Sequence, residues 1–281
     1  MTLPVPVRLK PQPDRWHDTC GDSQSSAHGA RPALTIEPAG PCAGGQFISA
    51  IVVGDAMTEI TFSRSAALRA TPFAVFLGLL WLRGAVPGNG DFDPRWIYGV
   101  SLLVVSALLA LWWREYGELA RQTLPRAIEA ALAVAIGLLV FALWIHLDAA
   151  WMTIGEPSAA FVPIDRQGRL DISLVIVRWV GATLLVPLME ELFWRSFLMR
   201  WIQNPGFESV LPQQVGLKAV VLSTFVFMLV HTLWLAAIVA GLVYAWLYIR
   251  TGKLWVPVIA HAVTNGALGL WVIGTGNWQF W

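Results

Sequence analysis

From residue 67 onward the chain alternates long apolar runs with short polar joints, the runs lying near 67–82, 96–113, 127–147, 172–189, 217–233, 234–249 and 254–273. A helix rises 1.5 Å per residue, so about 20 apolar residues cross a hydrocarbon core roughly 30 Å thick, and most of these runs qualify. The pattern predicts an all-α fold, a polytopic membrane helix bundle of about seven transmembrane helices. Residues 172–202 are long enough to continue past the bilayer as one helix, and Pro187 is expected to kink it one turn before a pair of glutamates. No internal repeat is visible.

The first 56 residues break this pattern. They are rich in Pro, Gly and Ser, with one short apolar patch from Phe47 to Val53, and are expected to be a disordered tail. A basic start followed at once by an apolar core, the mark of a secretory signal, is missing from them. Met57 is an alternative start. The expected divisions are therefore 1–56; an N-terminal membrane part with an outer loop, 57–171; a helical part that carries the chemistry, 172–273; and a short tail, 274–281. Cys20 and Cys42 both fall in the first tail, too few for a disulfide framework or a zinc-finger set.

Composition agrees, with 56% hydrophobic and only 13% charged residues, which excludes an ordinary soluble domain. The net charge of +1 offers no field for nucleic acid, which is not an expected partner. All of the 16 tryptophans but Trp16 lie beyond residue 80, many near run ends, as in Trp96, Trp112, Trp113, Trp234 and Trp255, where an indole favours the headgroup level. Core packing competes with this reading for Trp179 and Trp194. Basic residues set the orientation. With the N-terminus inside, inner joints hold Arg64, Arg69, Arg114, Arg121, Arg126, Arg195, Arg200, Lys218, Arg250 and Lys253, against Arg83, Arg95, Arg166 and Arg169 outside. The long loop 148–171 is then external, as in a bacterial inner-membrane protein with a cytoplasmic N-terminus.

Charged and strongly polar groups inside spans are costly and mark function by default. Here they are Glu129, His146, Arg178, Glu190, Glu191, His231, His261 and Asn265. Glu191 and Arg195 are four apart with the acid first, the favourable order for an ion pair on one helix face. Glu190 points about 100° away and is free to face a cavity. Pairing of both acids with Arg178, Arg195 or Arg200 at the membrane edge is the plainer alternative. Depth favours the cavity: counted from Arg200, Lys253 and Lys218, Glu190, His261 and His231 lie roughly 15, 12 and 20 Å deep, one layer built from three helices. His261 and Asn265 share a helix face, as do Phe227 and His231. The predicted site is one carboxylate, two imidazoles and one amide.

Glu190-Glu191-x-x-x-Arg195, Phe227-x-x-x-His231 and His261-x-x-x-Asn265, in this order, resemble the motif set of the CPBP family, which includes the CAAX prenyl endoproteases and bacteriocin-processing or immunity proteins. The stretch Tyr248–Pro257 also resembles that family, and the resemblance spans about residues 172–273. Glu190–Trp201 further resembles a bacterial CAAX protease-related subgroup found beside exosortase systems. The resemblance implies an intramembrane endopeptidase acting on a membrane-associated peptide or protein. In it Glu190 is the base and His231 orients the water. His261 and Asn265 hold the oxyanion, while Glu191 and Arg195 support them. Two imidazoles and a carboxylate also make a zinc set, Glu190, His231 and His261, with a position left for water. No His-Glu-x-x-His strip accompanies them, and metal-free glutamate catalysis is the preferred version. A non-enzymatic immunity or scaffold factor of an export system is the main alternative function, and a proton-coupled carrier a further one.

Overall fold

A computed structural model describes residues 62–87, 92–155, 161–165 and 167–281. The expectations for 1–56 lie outside the described residues. The fold is all-α. We number its seven helices α1 (Arg64–Ala85), α2 (Trp96–Leu111), α3 (Ala127–Trp144), α4 (Ile172–Gln203), α5 (Leu217–Leu229), α6 (Trp234–Thr251) and α7 (Trp255–Thr275). Five are long and apolar enough to cross a membrane, while α2 and α5 are shorter apolar helices. Every predicted run is a helix. The fourth continues from 189 to Gln203, as the length of 172–202 allows, and the other ends differ by a few residues, most in the fifth, which stops at Leu229 rather than running to 233.

The outward faces show what surrounds the bundle. Leu103, Leu111, Ile128, Leu184 and Leu270 are all more than half exposed, an arrangement water penalises and lipid does not. These helices are consistent with a multi-pass integral membrane protein. The interior is aromatic and small-residue packing around α7, which touches α3, α4 and α6. Close approach depends on glycine. A Cβ at Gly137 of α3 would lie 2.5 Å from the Ala260 carbonyl of α7, and one at Gly241 of α6 would lie 2.8 Å from Thr224 of α5.

α4 is one element of 32 residues, as its apolar length predicts. The disturbance expected at Pro187 takes the form of wider π-helical stretches on both sides, Gly181–Leu185 before the proline and Leu192–Leu198 after Glu191. Proline supplies no N–H for the preceding turn, and π turns are one way a helix absorbs that loss. The two glutamates thus sit on a short α segment, Val186–Glu191, between two turns of irregular winding. The link from α6 to α7 turns at Gly252, whose φ of 69° needs a residue without a Cβ.

Candidate active site

Glu191 is fully buried, and its Oε1 accepts from Arg195 Nη1 at 3.0 Å and from His261 Nδ1 at 2.9 Å. The first contact is the ion pair that the spacing predicts. Arg195 is only 2% exposed and lies 4.8 Å from the Phe227 ring centre and 5.4 Å from that of Tyr244. Its Nη2 also donates to the Gly241 carbonyl at 3.4 Å, a reach that the close packing of α5 on α6 permits. A buried cation is thereby surrounded by one carboxylate, two ring faces and a carbonyl, the kind of compensation that burial of charge demands.

Glu190 turns the other way. It is buried, lines a cavity of about 270 Å³, and its Oε2 has no hydrogen-bond partner among the described residues. His231, His261, Asn265 and Tyr244 line the same cavity. The four residues predicted for the working site therefore meet in one space, drawn from α4, α7 and the turn after α5.

Each histidine has one nitrogen committed. His231 lies two positions beyond the end of α5, not within it, and its Nδ1 donates to the Phe227 carbonyl at 2.8 Å. Helix ends leave carbonyls without intrahelical donors, and the Phe-x-x-x-His spacing satisfies one of them. The ring rests against Phe227 with centres 4.3 Å apart and meets the edge of Trp144. His261 is fixed by Glu191 on one side and by stacking on Tyr244, at 5.0 Å and 22°, on its face. A carbonyl or an ionised carboxylate can only accept, so in both rings Nδ1 carries hydrogen and Nε2 is the uncommitted atom. Asn265 donates through Nδ2 to the carbonyl of Ala182, inside the first π stretch of α4.

Three flagged residues make other contacts. Glu129 accepts from the Arg126 backbone and from Lys253 Nζ, both at 2.7 Å, and so closes the start of α3 onto the α6–α7 link. His146 is exposed just past α3, with Nδ1 on the Ala142 carbonyl, a helix-end contact like that of His231. Arg178 pairs neither with Glu129 nor with the motif acids. Its guanidinium lies over Tyr98 at 4.7 Å and Phe161 at 5.4 Å, and the residue lines the same cavity as Glu190.

Zinc requires Glu190, His231 and His261 to converge on one point. Among the described residues no group of three His, Cys, Asp or Glu is placed to hold a metal ion. The donor set does not fit the metal. Of the aromatic residues, Trp194 proves to be core while Trp81 and Trp96 are exposed.

Tyr244 and Thr264 were not singled out in the sequence. Tyr244 donates to Thr264 Oγ1 at 2.7 Å, and Thr264 donates to the Gly137 carbonyl at 2.9 Å. This chain ties the stacked His261 to the α3–α7 contact. The signal was present as uncharged polar groups inside apolar spans, but a Tyr or Thr there is cheap enough to pass unnoticed beside Glu and His.

Residues 172–267, about a third of the chain, match the family model described as Type II CAAX prenyl endopeptidase Rce1-like. The matched segment holds α4 to α6, most of α7, and every residue of the site. Neither the curated proteins nor the solved structures gave a match.

Proposed function

We propose that this protein is an intramembrane endopeptidase that hydrolyses a peptide bond of a membrane-associated peptide or protein with water activated by Glu190. The observation that carries the proposal is the buried, unpartnered Glu190 Oε2 in a cavity shared with His231, His261 and Asn265. The match of residues 172–267 to the CAAX endopeptidase family supports it. The narrower exosortase-associated likeness rests on the Glu190–Trp201 strip alone.

Glu190 takes a proton from water as the oxygen attacks the scissile carbonyl, with Nε2 of His231 accepting the second water hydrogen and so orienting it. The oxyanion receives hydrogen bonds from the second N–H of Asn265 and from His261 Nε2. Donation from Nε2 requires His261 to carry both protons. Glu190, Glu191, Arg195 and His261 then sum to zero charge, the balance that a low-dielectric site favours. Glu190 finally returns its proton to the departing amine. We place the N-terminus on the cytoplasmic side from the distribution of basic residues.

The test is Glu190→Gln in the full chain, reconstituted in lipid nanodiscs, with membrane fractions from cells making either form compared by terminal-peptide mass spectrometry. New termini that require Glu190 are expected. Identical termini in both samples, with the protein folded and bound to the same partners, would favour the scaffold reading instead.

A further inference from the structure

We infer that residues 276–281, which follow α7, are a cover over the cavity that holds Glu190, seated through Phe280 and Trp281 and hinged at Gly276, and that substrate enters only when the cover lifts. This assigns a regulation to the same site, and its kinetic consequence rests on the peptidase reading above.

The argument starts from which walls can yield. The residues that line the cavity stand on the seven helices, apart from Val230, His231, Phe280 and Trp281. A helical wall moves only by breaking backbone hydrogen bonds or whole-helix packing. Val230 and His231 belong to the turn after α5, which is tied down: His231 Nδ1 donates to the Phe227 carbonyl, and the Thr232 carbonyl accepts from Ile154 N at 2.8 Å. Phe280 and Trp281 lack such ties. The backbone bonds of their segment stay local, from Gly276 N to the Val272 carbonyl at 2.8 Å and from Trp281 N to the Trp278 carbonyl at 3.0 Å. Its side chains hold to rings. Phe280 meets Trp271 edge-on with centres 5.2 Å apart, and Trp281 meets Phe161 at 6.3 Å and 80°.

The ring on the other side of that last contact is fixed. Phe161 is only 2% exposed, and the residues after it are held by Arg95, whose Nη1 donates to the Val162 and Ile164 carbonyls at 2.7 and 2.9 Å. One jaw is thus anchored by hydrogen bonds and the other rests on non-directional apolar contact, which separates without leaving directed bonds broken. Seating also has a cost. Trp281 Nε1 is buried without a hydrogen-bond partner among the described residues, whereas a buried indole N–H ordinarily finds an acceptor. Lifting returns it to water or headgroups, which narrows the gap between seated and lifted states. The joint is suited to the movement. Gly276 has φ of 73°, a region that glycine enters without strain, and it is exposed together with Thr275 and Asn277.

A cover and a substrate-binding wall predict opposite kinetics. If only a fraction of molecules is open, the apparent affinity for substrate is reduced by that fraction, so unseating the cover lowers KM and leaves kcat unchanged. Removing a wall that grips the substrate raises KM instead.

The experiment uses the full chain in lipid nanodiscs, with Cys20→Ser and Cys42→Ser, and compares the seated protein with two variants. Phe280→Ala/Trp281→Ala removes the seat, and Gly276→Pro keeps the rings but forces φ away from its seated value. Entry is read first without catalysis, as the rate at which a charged, water-soluble methanethiosulfonate modifies Leu268→Cys on the cavity wall. Both variants should be labelled about 10-fold faster or more, as expected when a minor open state becomes the main one. Cleavage of a mixture of apolar decapeptides bearing a fluorophore and a quencher is then followed without the Leu268 change, and KM should fall in both variants at constant kcat. Labelling no faster than in the seated protein, or a KM that is unchanged or raised, overturns the inference. Should no peptide be cut by any form, labelling decides alone: faster modification in both variants upholds the cover while the peptidase reading fails, and equal modification sinks the cover.

Discussion

Glu191→Gln isolates the buried centre of the site. The carboxylate holds Arg195 and His261 through a single oxygen, and all three residues are less than a tenth exposed. Removing one partner of a buried ion pair costs about 3–5 kcal/mol, because the other charge stays buried and unbalanced. Gln keeps an acceptor oxygen, which places Glu191→Gln toward the lower figure. Arg195→Met leaves the acid uncompensated and belongs toward the upper one, with the contacts to Phe227 and Tyr244 lost as well. The double variant Glu191→Gln/Arg195→Met removes both charges together, and such replacements are often close to neutral. Its thermal midpoint in nanodiscs should therefore recover toward wild type, above either single variant. Cleavage should not recover. His261 loses the carboxylate that orients its ring and offsets its charge, and loss of the carboxylate in a hydrolase triad costs about 10⁴-fold in rate. Thermal midpoints and kcat/KM for the four proteins form one cycle. A double variant as unstable as the sum of the singles would refute the ion-pair account, and a double variant with wild-type turnover would refute the role given to Glu191 in holding His261.

Asn265→Ala should reduce turnover by the worth of one oxyanion donor, about 3–4 kcal/mol, and should also lower the melting midpoint because the Ala182 carbonyl loses its side-chain donor; turnover kinetics and calorimetry separate the two effects. Gly137→Ala places a Cβ against the Ala260 carbonyl and should destabilise by roughly 1–3 kcal/mol through overpacking, with cleavage falling as His261 and Thr264 shift. Outside the spans, burial alone would raise the proton affinity of Glu118, but the hydrogen bonds and charge of Arg69, aided by Ser196, outweigh it and hold the carboxyl below its usual range. A depressed folded value contributes stability above the unfolded carboxylate value of about 4.3, lost as pH falls through the folded value. Melting measured from pH 7 to pH 3 should therefore show wild type above Glu118→Gln at neutral pH and the gap closing in acid.

What the sequence could disclose was decided by energetic contrast. An apolar span makes each Glu, His or Arg conspicuous, since its burial must be compensated, and counting residues from basic anchors placed Glu190, His231 and His261 in one layer; all three line one cavity. The Glu191–Arg195 pair was legible because four residues on one helix fix its geometry without knowledge of any neighbour. Contacts between helices were not. That His261 leans on Glu191 and stacks on Tyr244 depends on how α4, α6 and α7 are rotated about their own axes, and spacing within one helix carries no information on that. The rotation is set where backbones touch, at Gly137 against Ala260 and at Gly241 against Thr224, and a glycine in an apolar run looks the same whether it faces lipid or a neighbour. Gly78 makes the point, since a Cβ there would meet nothing within 4 Å. The same limit explains Arg178. As a lone charge it was flagged, but pairing with Glu129, pairing with the motif acids and standing unpaired are equally compatible with its place on α4. Only the packing of Tyr98 and Phe161 around it, together with the engagement of Glu129 by Lys253 and Arg126, separates these cases.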